Sequence, residues 1–178
     1  AVDEGLVNVA DGEALVRSKM SEQFDFEGEL AVIVGRAGRH IKAKDAMPYV
    51  AGYSCFNDAS VRDYQQQHSV SIGKNFYRTG GFGPYLVTAD EVGNPYALKV
   101  VVKVDGQVRY QGSTAEIDHS AEDAFAWLGF ISSIQPGTVV GMGTIPDCTG
   151  LDHDDFIDPG AEIEIGFERL GSLRCRFA

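Results

Sequence analysis

The chain is poor in basic side chains: its 178 residues include 15 Lys and Arg against 26 Asp and Glu, a net charge of −11. Proteins that bind nucleic acids depend on clustered Lys and Arg, because these side chains neutralise the phosphate backbone. The composition therefore argues against a nucleic-acid partner. A small molecule or another protein is the expected partner.

Long apolar runs are missing as well. No stretch approaches the roughly 20 apolar residues that cross a bilayer, and the N-terminus lacks the basic and then apolar pattern of a secretion signal. With 44% hydrophobic and 23% charged residues, the composition is typical of a soluble globular protein. We expect a cytoplasmic protein without a membrane segment, folded as one domain over residues 1–178.

Cysteine is scarce and widely spaced. Cys55, Cys148 and Cys175 form no Cys-x-x-Cys pair, so neither a disulfide framework nor a structural zinc site is indicated. The sequence predicts three reduced thiols, with Cys55 as a small core residue in an apolar run. The chain has 21 glycines, but none of them belongs to a P-loop or a dinucleotide-binding fingerprint.

The stretch Phe26 to Val34, Phe-Glu-Gly-Glu-Leu-Ala-Val-Ile-Val, predicts a buried strand that carries two acids. Side chains alternate along a strand, so Glu27 and Glu29 share one face at a spacing of about 7 Å. Two carboxylates in a covered strand repel each other and lose hydration, and a divalent cation such as Mg²⁺ relieves both effects. Gly28 is expected to leave the strand open to the cation. A solvated acidic face is the alternative interpretation.

A second group of polar side chains lies near a predicted helix start. Asn57 to Ser60 can cap a helix over Val61 to Gln66. Asp58, Arg62 and Gln65 follow one another at spacings of four and three, which places an acid, a cation and an amide on one face. The alternative interpretation is an N-cap Asp that forms an ordinary ion pair with Arg62.

Lys74 and Thr144 occupy positions where the adjacent residues in the sequence restrict the placement of the side chain. Lys74 lies between a glycine and an aromatic residue, although most lysines are solvated surface charges. Thr144 follows a strand predicted over Thr138 to Met142, which places its hydroxyl at a strand end. Turn formation is the alternative explanation for Thr144.

The rest of the pattern is rich in strands with few helices. A short helix is predicted from Ala43 to Tyr49, and Leu98 to Gln111 reads as a hairpin that turns at Asp105-Gly106. Ser120 is expected to cap a helix from Ala121 to about Ile134, with Trp127 in its packing.

Several short motifs occur in a fixed order from residue 26 onward: Phe-Glu-Gly-Glu-Leu-Ala, Val-Ala-Gly-Tyr, Asn-Asp-Ala-Ser-Val-Arg-Asp-Tyr-Gln, Gly-Lys-Asn-Phe, Gly-Pro and Gly-Thr-Ile. Over roughly Gly12 to the C-terminus, this order resembles the catalytic domain of the fumarylacetoacetate hydrolase family. The resemblance implies an α+β fold rich in strands, with a mixed, rolled β-sheet and a few short helices. It also implies a homodimer or a higher homo-oligomer.

The resemblance assigns roles to the residues at matching positions. It implies a site for Mg²⁺, or for Mn²⁺ or Ca²⁺, with three carboxylate ligands: Glu27, Glu29 and Asp58. It implies contacts to a small oxo-acid substrate from Arg62, Gln65, Lys74 and Thr144. Lys74 would also be catalytic.

The function implied by the resemblance is metal-dependent hydrolysis of a carbon–carbon bond in a 2,4-dioxo acid, such as an acylpyruvate or a fumarylpyruvate-like compound. The leaving fragment is an enolate, whose charge Lys74 and the cation can stabilise. Isomerisation, decarboxylation or hydration of related 2-oxo or 2-hydroxydienoic acids, in aromatic or sugar-acid catabolism, is the alternative. A further alternative is a family member that binds metal without catalysis.

One feature departs from the family pattern. Members that hydrolyse or decarboxylate usually take a His and Glu pair from a segment upstream of the Glu-x-Glu strand, but no His precedes His40. His68 is the candidate replacement for the general base, with a structural role as the alternative. We therefore expect that hydrolysis needs a lid segment that lies upstream of Ala1 or is disordered.

Overall fold

Two five-stranded sheets form most of the structure, a computed structural model that describes residues 8–16 and 21–178. The expected start of the domain at residues 1–7 lies outside the described residues. The first sheet has the strand order β1 (Asn8–Val9), β7 (Gly80–Thr88), β5 (Val50–Asn57), β4 (Glu27–Val34) and β10 (Val139–Thr149). The second has the order β2 (Ala14–Leu15), β12 (Gly171–Phe177), β11 (Glu162–Phe167), β8 (Lys99–Val104) and β9 (Gln107–Ser113).

The strand pairing is mixed. β1 runs parallel to β7, and β2 runs parallel to β12, whereas the other pairs within the two sheets are antiparallel. A short antiparallel ribbon joins β3 (Phe24–Asp25) to β6 (Ser60–Val61). The predicted α+β fold, rich in strands and with a mixed sheet, is confirmed.

Helices are short and few. The α-helices are α1 (Arg62–Gln67), α2 (Ala89–Val92) and α3 (Ala121–Ile131). Single 3₁₀ turns occur at Ala43–Asp45, Met47–Tyr49, Pro95–Ala97, Thr114–Glu116 and Leu151–His153. Among the described residues, no helix has both the length and the apolar character that a bilayer crossing requires.

β4 is the central strand of the candidate site, and all eight of its residues are buried. A Cβ atom added to Gly28 would lie 3.3 Å from Cys148 and 3.4 Å from Ile165 of the second sheet. Gly28 therefore faces away from the two flanking acids, because alternate residues of a strand point to opposite faces. The expectation that Gly28 opens the strand to a cation is wrong, since the glycine provides space for packing instead.

The predicted hairpin is confirmed. β8 and β9 pair antiparallel across a two-residue turn in which Asp105 and Gly106 both have positive φ, 49° and 76°. Positive φ at both central positions gives a turn whose twist matches that of the strands. All three cysteines are buried and free, as predicted.

One helix prediction was wrong, and another was confirmed except for its cap, since the helix expected over Val61 to Gln66 is α1 (Arg62–Gln67). The helix expected over Ala43 to Tyr49 is replaced by two 3₁₀ turns, because Pro48 has no backbone N–H with which to continue an α-helix. Among residues 8–16 and 21–178, no side chain caps α1, since Asn57 belongs to β5 and accepts a hydrogen bond from the Glu27 N–H at 3.1 Å. Ser60 instead donates to the Asp58 carbonyl at 3.0 Å.

α3 begins as predicted, with the Ser120 hydroxyl accepting a hydrogen bond from the Asp123 N–H at 3.1 Å. The helix ends at Ile131, earlier than expected, and Ile134 forms an isolated bridge with Gly38. Trp127 is 64% exposed and does not contribute to the core. Residues two positions apart on a helix are separated by about 200° around its axis, so Trp127 faces away from the buried Phe125.

Candidate functional site

Three carboxylates converge where β4 and β5 lie side by side. Glu27 and Glu29 extend from β4, and Asp58 follows β5 directly, with its N–H donating to the Glu27 carbonyl at 3.2 Å. One carboxylate oxygen from each residue lies within 4.8 Å of the others. The structure thus brings together the three residues predicted as metal ligands, across a sequence separation that includes a whole strand.

Burial and mutual repulsion set the charge state of this group. Burial raises the pKa of the Glu29 carboxyl to about 8, and the carboxylates of Asp58 and Glu27 add to this effect. Burial also raises the pKa of Asp58, against the opposing influence of the Lys74 ammonium. The site is therefore short of positive charge around Glu29.

β10 shapes the space around Glu29. Its ladder with β4 is irregular between Gly141 and Thr144, and the Gly143 N–H donates to Glu29 Oε2 at 3.1 Å. A Cβ atom on Gly141 would lie 2.5 Å from the same oxygen, so only glycine allows this approach. Thr144 pairs directly with Glu29 and is half-buried.

The structure corrects the expected position of Thr144. β10 continues to Thr149, so the hydroxyl lies within an irregular strand and not at the end of one. A bulge re-aims side chains within a strand, and this one places Thr144 at the cluster. Its predicted contact with substrate stays a prediction.

Lys74 lies at the cluster. Its Nζ is 2.5 Å from Glu27 Oε2 and 2.5 Å from Asp58 Oδ2. Burial alone would lower the pKa of Lys74, but the two carboxylates outweigh it and the pKa is raised. A Cβ atom on Gly73 would lie 2.2 Å from Gln65, so this glycine lets the lysine segment pack closely against α1.

Arg62 is a buried residue, 4% exposed. Its Nη1 lies 2.8 Å from Glu27 Oε1 and donates to Gln65 Oε1 at 2.9 Å. In the part of the chain that the structure describes, Arg62 forms no ion pair with Asp58, so the simple i,i+4 pair is not observed. Gln65 has a buried Nε2 for which the described residues supply no hydrogen-bond partner.

Sequence reasoning missed Asp25, a fully buried carboxylate that pairs with Arg62 at 2.6 Å. Although the Asp25–Arg62 pair is buried, the guanidinium of Arg62 stays charged, as the direction of its pKa shift indicates. Burial would lower this pKa, but Asp25 and Glu27 outweigh burial and raise it. A sequence signal was available: Asp25, Glu27 and Glu29 alternate with apolar or small residues, as side chains on one face of a strand do.

His68 lies at the C-terminal end of α1 and is exposed. Its ring stacks on Tyr64 with 6.1 Å between the ring centroids. Among the described residues, no hydrogen bond or ion pair joins His68 to the three carboxylates. The proposal that His68 serves as general base stays a prediction.

The residues at the cluster fit a hard divalent cation. Three carboxylates supply oxygen donors at close range, which is the ligand type that Mg²⁺, Mn²⁺ and Ca²⁺ prefer. The pKa of Glu29 is raised first by burial and then by the neighbouring carboxylates, and a cation would relieve the repulsion between them. The geometry is compatible with each of these ions.

The chain matches one family profile and several known proteins. The family profile described as "Fumarylacetoacetate (FAA) hydrolase C-terminal" matches residues 5–178. The human protein named oxaloacetate tautomerase FAHD2A, mitochondrial, is 36% identical over 163 residues, which are 89% of this chain and 52% of that protein. A Staphylococcus haemolyticus protein of unassigned function is 31% identical over 163 residues, 89% of this chain and 54% of that protein. The chain thus spans about half the length of the curated relatives it matches.

Solved structures with the same fold include enzymes of two reaction types. Fumarylpyruvate hydrolase from Pseudomonas aeruginosa, in complex with Mn²⁺ and pyruvate, has a TM-score of 0.84 at 27% identity, over 97% of this chain and 74% of that one. The 2-hydroxyhepta-2,4-diene-1,7-dioate isomerase from Mycobacterium marinum has a TM-score of 0.88 at 25% identity, over 97% of this chain and 65% of that one. With the profile match over nearly its whole length, the chain belongs to the fumarylacetoacetate hydrolase family.

Proposed function

We propose that this chain is the catalytic domain of a divalent-metal-dependent enzyme that acts on a small 2-oxo acid through an enolate. The observation that carries this proposal is the convergence of three carboxylates and one lysine ammonium in a largely buried site. A cation held by Glu27, Glu29 and Asp58 would act as a Lewis acid toward the oxo and carboxylate oxygens of the substrate.

Lys74 is the residue proposed to contact the reacting group. Its raised pKa keeps the ammonium protonated at neutral pH, so it can donate a hydrogen bond to an enolate oxygen. The Lys74 side chain is 17% exposed, which leaves it accessible to a bound ligand. Thr144 is the candidate for contact with the substrate carboxylate, because its half-buried position faces Glu29 across the ladder.

Among the possible reactions, keto–enol tautomerisation or isomerisation is our first candidate. It transfers a proton between carbon and oxygen and needs no attacking water, whereas hydrolysis needs a base that activates one. His68, the candidate base, has no contact with the carboxylates among the described residues. The 36% identity to a relative named as an oxaloacetate tautomerase supports the same choice.

Hydrolysis of a carbon–carbon bond in an acylpyruvate is the second candidate. The structural similarity to a fumarylpyruvate hydrolase that holds Mn²⁺ and pyruvate favours it, because pyruvate is the enolate-derived product of such a cleavage. This reaction requires a base beyond the carboxylates assigned to the cation.

The metal site is tested by isothermal calorimetry with Mg²⁺ and Mn²⁺. Glu29→Ala and Asp58→Ala should abolish measurable binding, because each removes an oxygen ligand and a negative charge. Glu116→Ala, on an exposed turn, is the control and should bind as the wild type does. Wild-type affinity in both site variants would refute the metal centre.

The role of Lys74 is tested by steady-state kinetics. Lys74→Met should lower kcat and kcat/KM together, because the lysine acts on charge that develops in the transition state. Lys44→Met, at an exposed position, should leave both constants unchanged. A rise in KM alone would reassign Lys74 to ground-state binding.

Two assays with added Mg²⁺ separate the reactions. The ultraviolet absorbance of enol-oxaloacetate reports tautomerisation, and a coupled lactate dehydrogenase assay reports pyruvate released from an acylpyruvate. Faster enol decay without pyruvate release supports the first candidate, and pyruvate release supports hydrolysis. Neither signal, with metal binding intact, would indicate a family member that binds metal without catalysis.

A further inference from the structure

Asp25 is a carboxylate enclosed by hydrogen-bond donors. It is fully buried in β3, and Oδ1 accepts bonds from the Phe26 and Gly150 N–H groups, both at 2.8 Å. Oδ2 accepts from the Thr149 hydroxyl at 2.7 Å and from the Leu151 N–H at 3.1 Å. The same oxygen receives the Arg62 guanidinium, with Nε at 2.8 Å and Nη2 at 2.6 Å.

These donors require a carboxylate. An ionised carboxyl group only accepts hydrogen bonds, whereas an amide places two donor hydrogens on one of its atoms. In either orientation, an amide at position 25 would direct an N–H group toward another donor. Such a mismatch in a buried site is costly, because water cannot replace the lost partners.

Arg62 carries the effect of Asp25 to the cluster. Its Nη1 lies 2.8 Å from Glu27 Oε1, while the other oxygen of Glu27 contacts Lys74. Thr149 closes the arrangement, since its hydroxyl donates to Asp25 and accepts from Arg62 Nη2 at 3.0 Å. Asp25 thus fixes the guanidinium through Nε and Nη2, and Thr149 fixes it through Nη2.

We propose that Asp25 is a positioning residue for the cation site: it fixes Arg62, and Arg62 holds Glu27 in the orientation in which it faces Glu29 and Asp58. This inference rests on the proposed metal centre. It gives Arg62 the role of orienting a ligand instead of binding the substrate carboxylate, because its N–H groups are committed to protein oxygens. Partners that orient metal ligands in this way set both affinity and geometry.

The test compares Mg²⁺ affinity, measured by calorimetry, in Asp25→Asn and Thr149→Val with that of the wild type. Asp25→Asn should weaken binding by about 10- to 100-fold, the range typical when a partner of a metal ligand is lost. Thr149→Val keeps the branched shape of the side chain and replaces the hydroxyl with a methyl group, so a loss of about threefold to tenfold, at or below the low end of that range, is expected. Thermal unfolding of the same samples reports folding separately.

Asp63→Asn is the matched control. Asp63 lies beside Arg62 on α1 and is half-buried, but its carboxylate accepts a bond from the Ser21 hydroxyl at 2.7 Å and, among the described residues, forms no hydrogen bond or ion pair with Arg62 or Glu27. Its Mg²⁺ affinity should equal that of the wild type. A purely structural Asp25 would lower the unfolding temperature without moving the affinity of the folded protein.

Glu29→Ala separates failure of this inference from failure of the metal centre. If Glu29→Ala binds Mg²⁺ as the wild type does, the metal centre itself is refuted. If Glu29→Ala loses Mg²⁺ while folded Asp25→Asn and Thr149→Val bind it with wild-type affinity, the positioning role of Asp25 is overturned. Should Asp25→Asn fail to fold, the affinity of Thr149→Val decides the outcome alone.

Discussion

Asp25 and Glu29 are two buried carboxylates only four positions apart, yet their surroundings are opposite. Asp25 receives hydrogen bonds from backbone N–H groups, a hydroxyl and a guanidinium. Glu29 receives one from Gly143 and has two other acids as neighbours. The difference shows that a buried acid surrounded by donors holds its partners in fixed positions, whereas a buried acid surrounded by acids is suited to binding a cation.

The largest expected effect on stability comes from removing the cation that pairs with Asp25. Arg62→Leu should lower the free energy of unfolding by about 3–5 kcal/mol, because it leaves the buried Asp25 charge without its cation. Urea denaturation measures the change. Arg174→Leu is the control: Arg174 is an exposed partner of Glu164 at 3.3 Å, and its loss should cost about 1 kcal/mol or less. Equal effects of the two substitutions would contradict the distinction.

The raised pKa of Glu29 predicts that both the stability of the protein and its Mg²⁺ affinity depend on pH. The native pKa of about 8 lies above the ordinary value of 4.5, so the metal-free protein holds a proton that the unfolded chain releases. Stability from this group is present at low pH and is lost as pH rises from about 4.5 to 8. Since a cation requires the ionised carboxylate, Mg²⁺ affinity should rise between pH 6 and 8 by up to about tenfold per unit.

Calorimetry at pH 6, 7 and 8, in buffers of different ionisation enthalpy, measures both the affinity and the protons released on binding. The expected result is net proton release that declines toward pH 8. A constant Mg²⁺ affinity with no proton release across this range would contradict the raised pKa of Glu29.

A smaller effect is expected from crowding Glu29. Gly141→Ala places a methyl group 2.5 Å from Glu29 Oε2, so the carboxylate must rotate away from its position. Mg²⁺ affinity should fall about tenfold, equivalent to ~1.4 kcal/mol. Val139→Ala, at an exposed position of the same strand, should bind Mg²⁺ as the wild type does. Unchanged affinity in Gly141→Ala would show that Glu29 does not need this orientation.

The smallest effect concerns a site remote from both carboxylates. Ser120→Ala removes the hydroxyl that accepts the Asp123 N–H at the start of α3 and should cost about 1 kcal/mol of stability. Mg²⁺ affinity should not change. This variant shows whether a loss of stability alone can weaken metal binding, and any such weakening would undermine the interpretation of Asp25→Asn.

The sequence allowed prediction of elements whose signals are local. Alternation placed Glu27 and Glu29 on one face, and Asp105-Gly106 specified its hairpin turn, because both depend only on neighbouring residues. Asp58 entered the ligand set only through the family resemblance, since its approach to Glu27 depends on how β4 pairs with β5.

Other features depend on tertiary contacts that no local pattern reveals. The irregular stretch of β10 that carries Thr144 arises from its pairing with β4. Alternation with Glu27 and Glu29 could have identified Asp25, but it could not reveal the donors that surround Asp25, because these come from β10, the following turn and α1. The oligomeric state, the cytoplasmic location and the upstream lid stay predictions.

The carboxylates and the lysine of the cluster come from different kinds of structural element, and this affects how the site can change in evolution. Glu27 and Glu29 come from β4 and Asp58 directly follows β5, so strand pairing fixes their positions, whereas Lys74 comes from the segment between α1 and β7, outside both sheets. Insertions or deletions in that segment can move the ammonium without disturbing a strand ladder, because surface connections tolerate changes in length. Evolution or protein engineering can thus change the position of Lys74 through one loop while the three carboxylates of the cation site keep their positions.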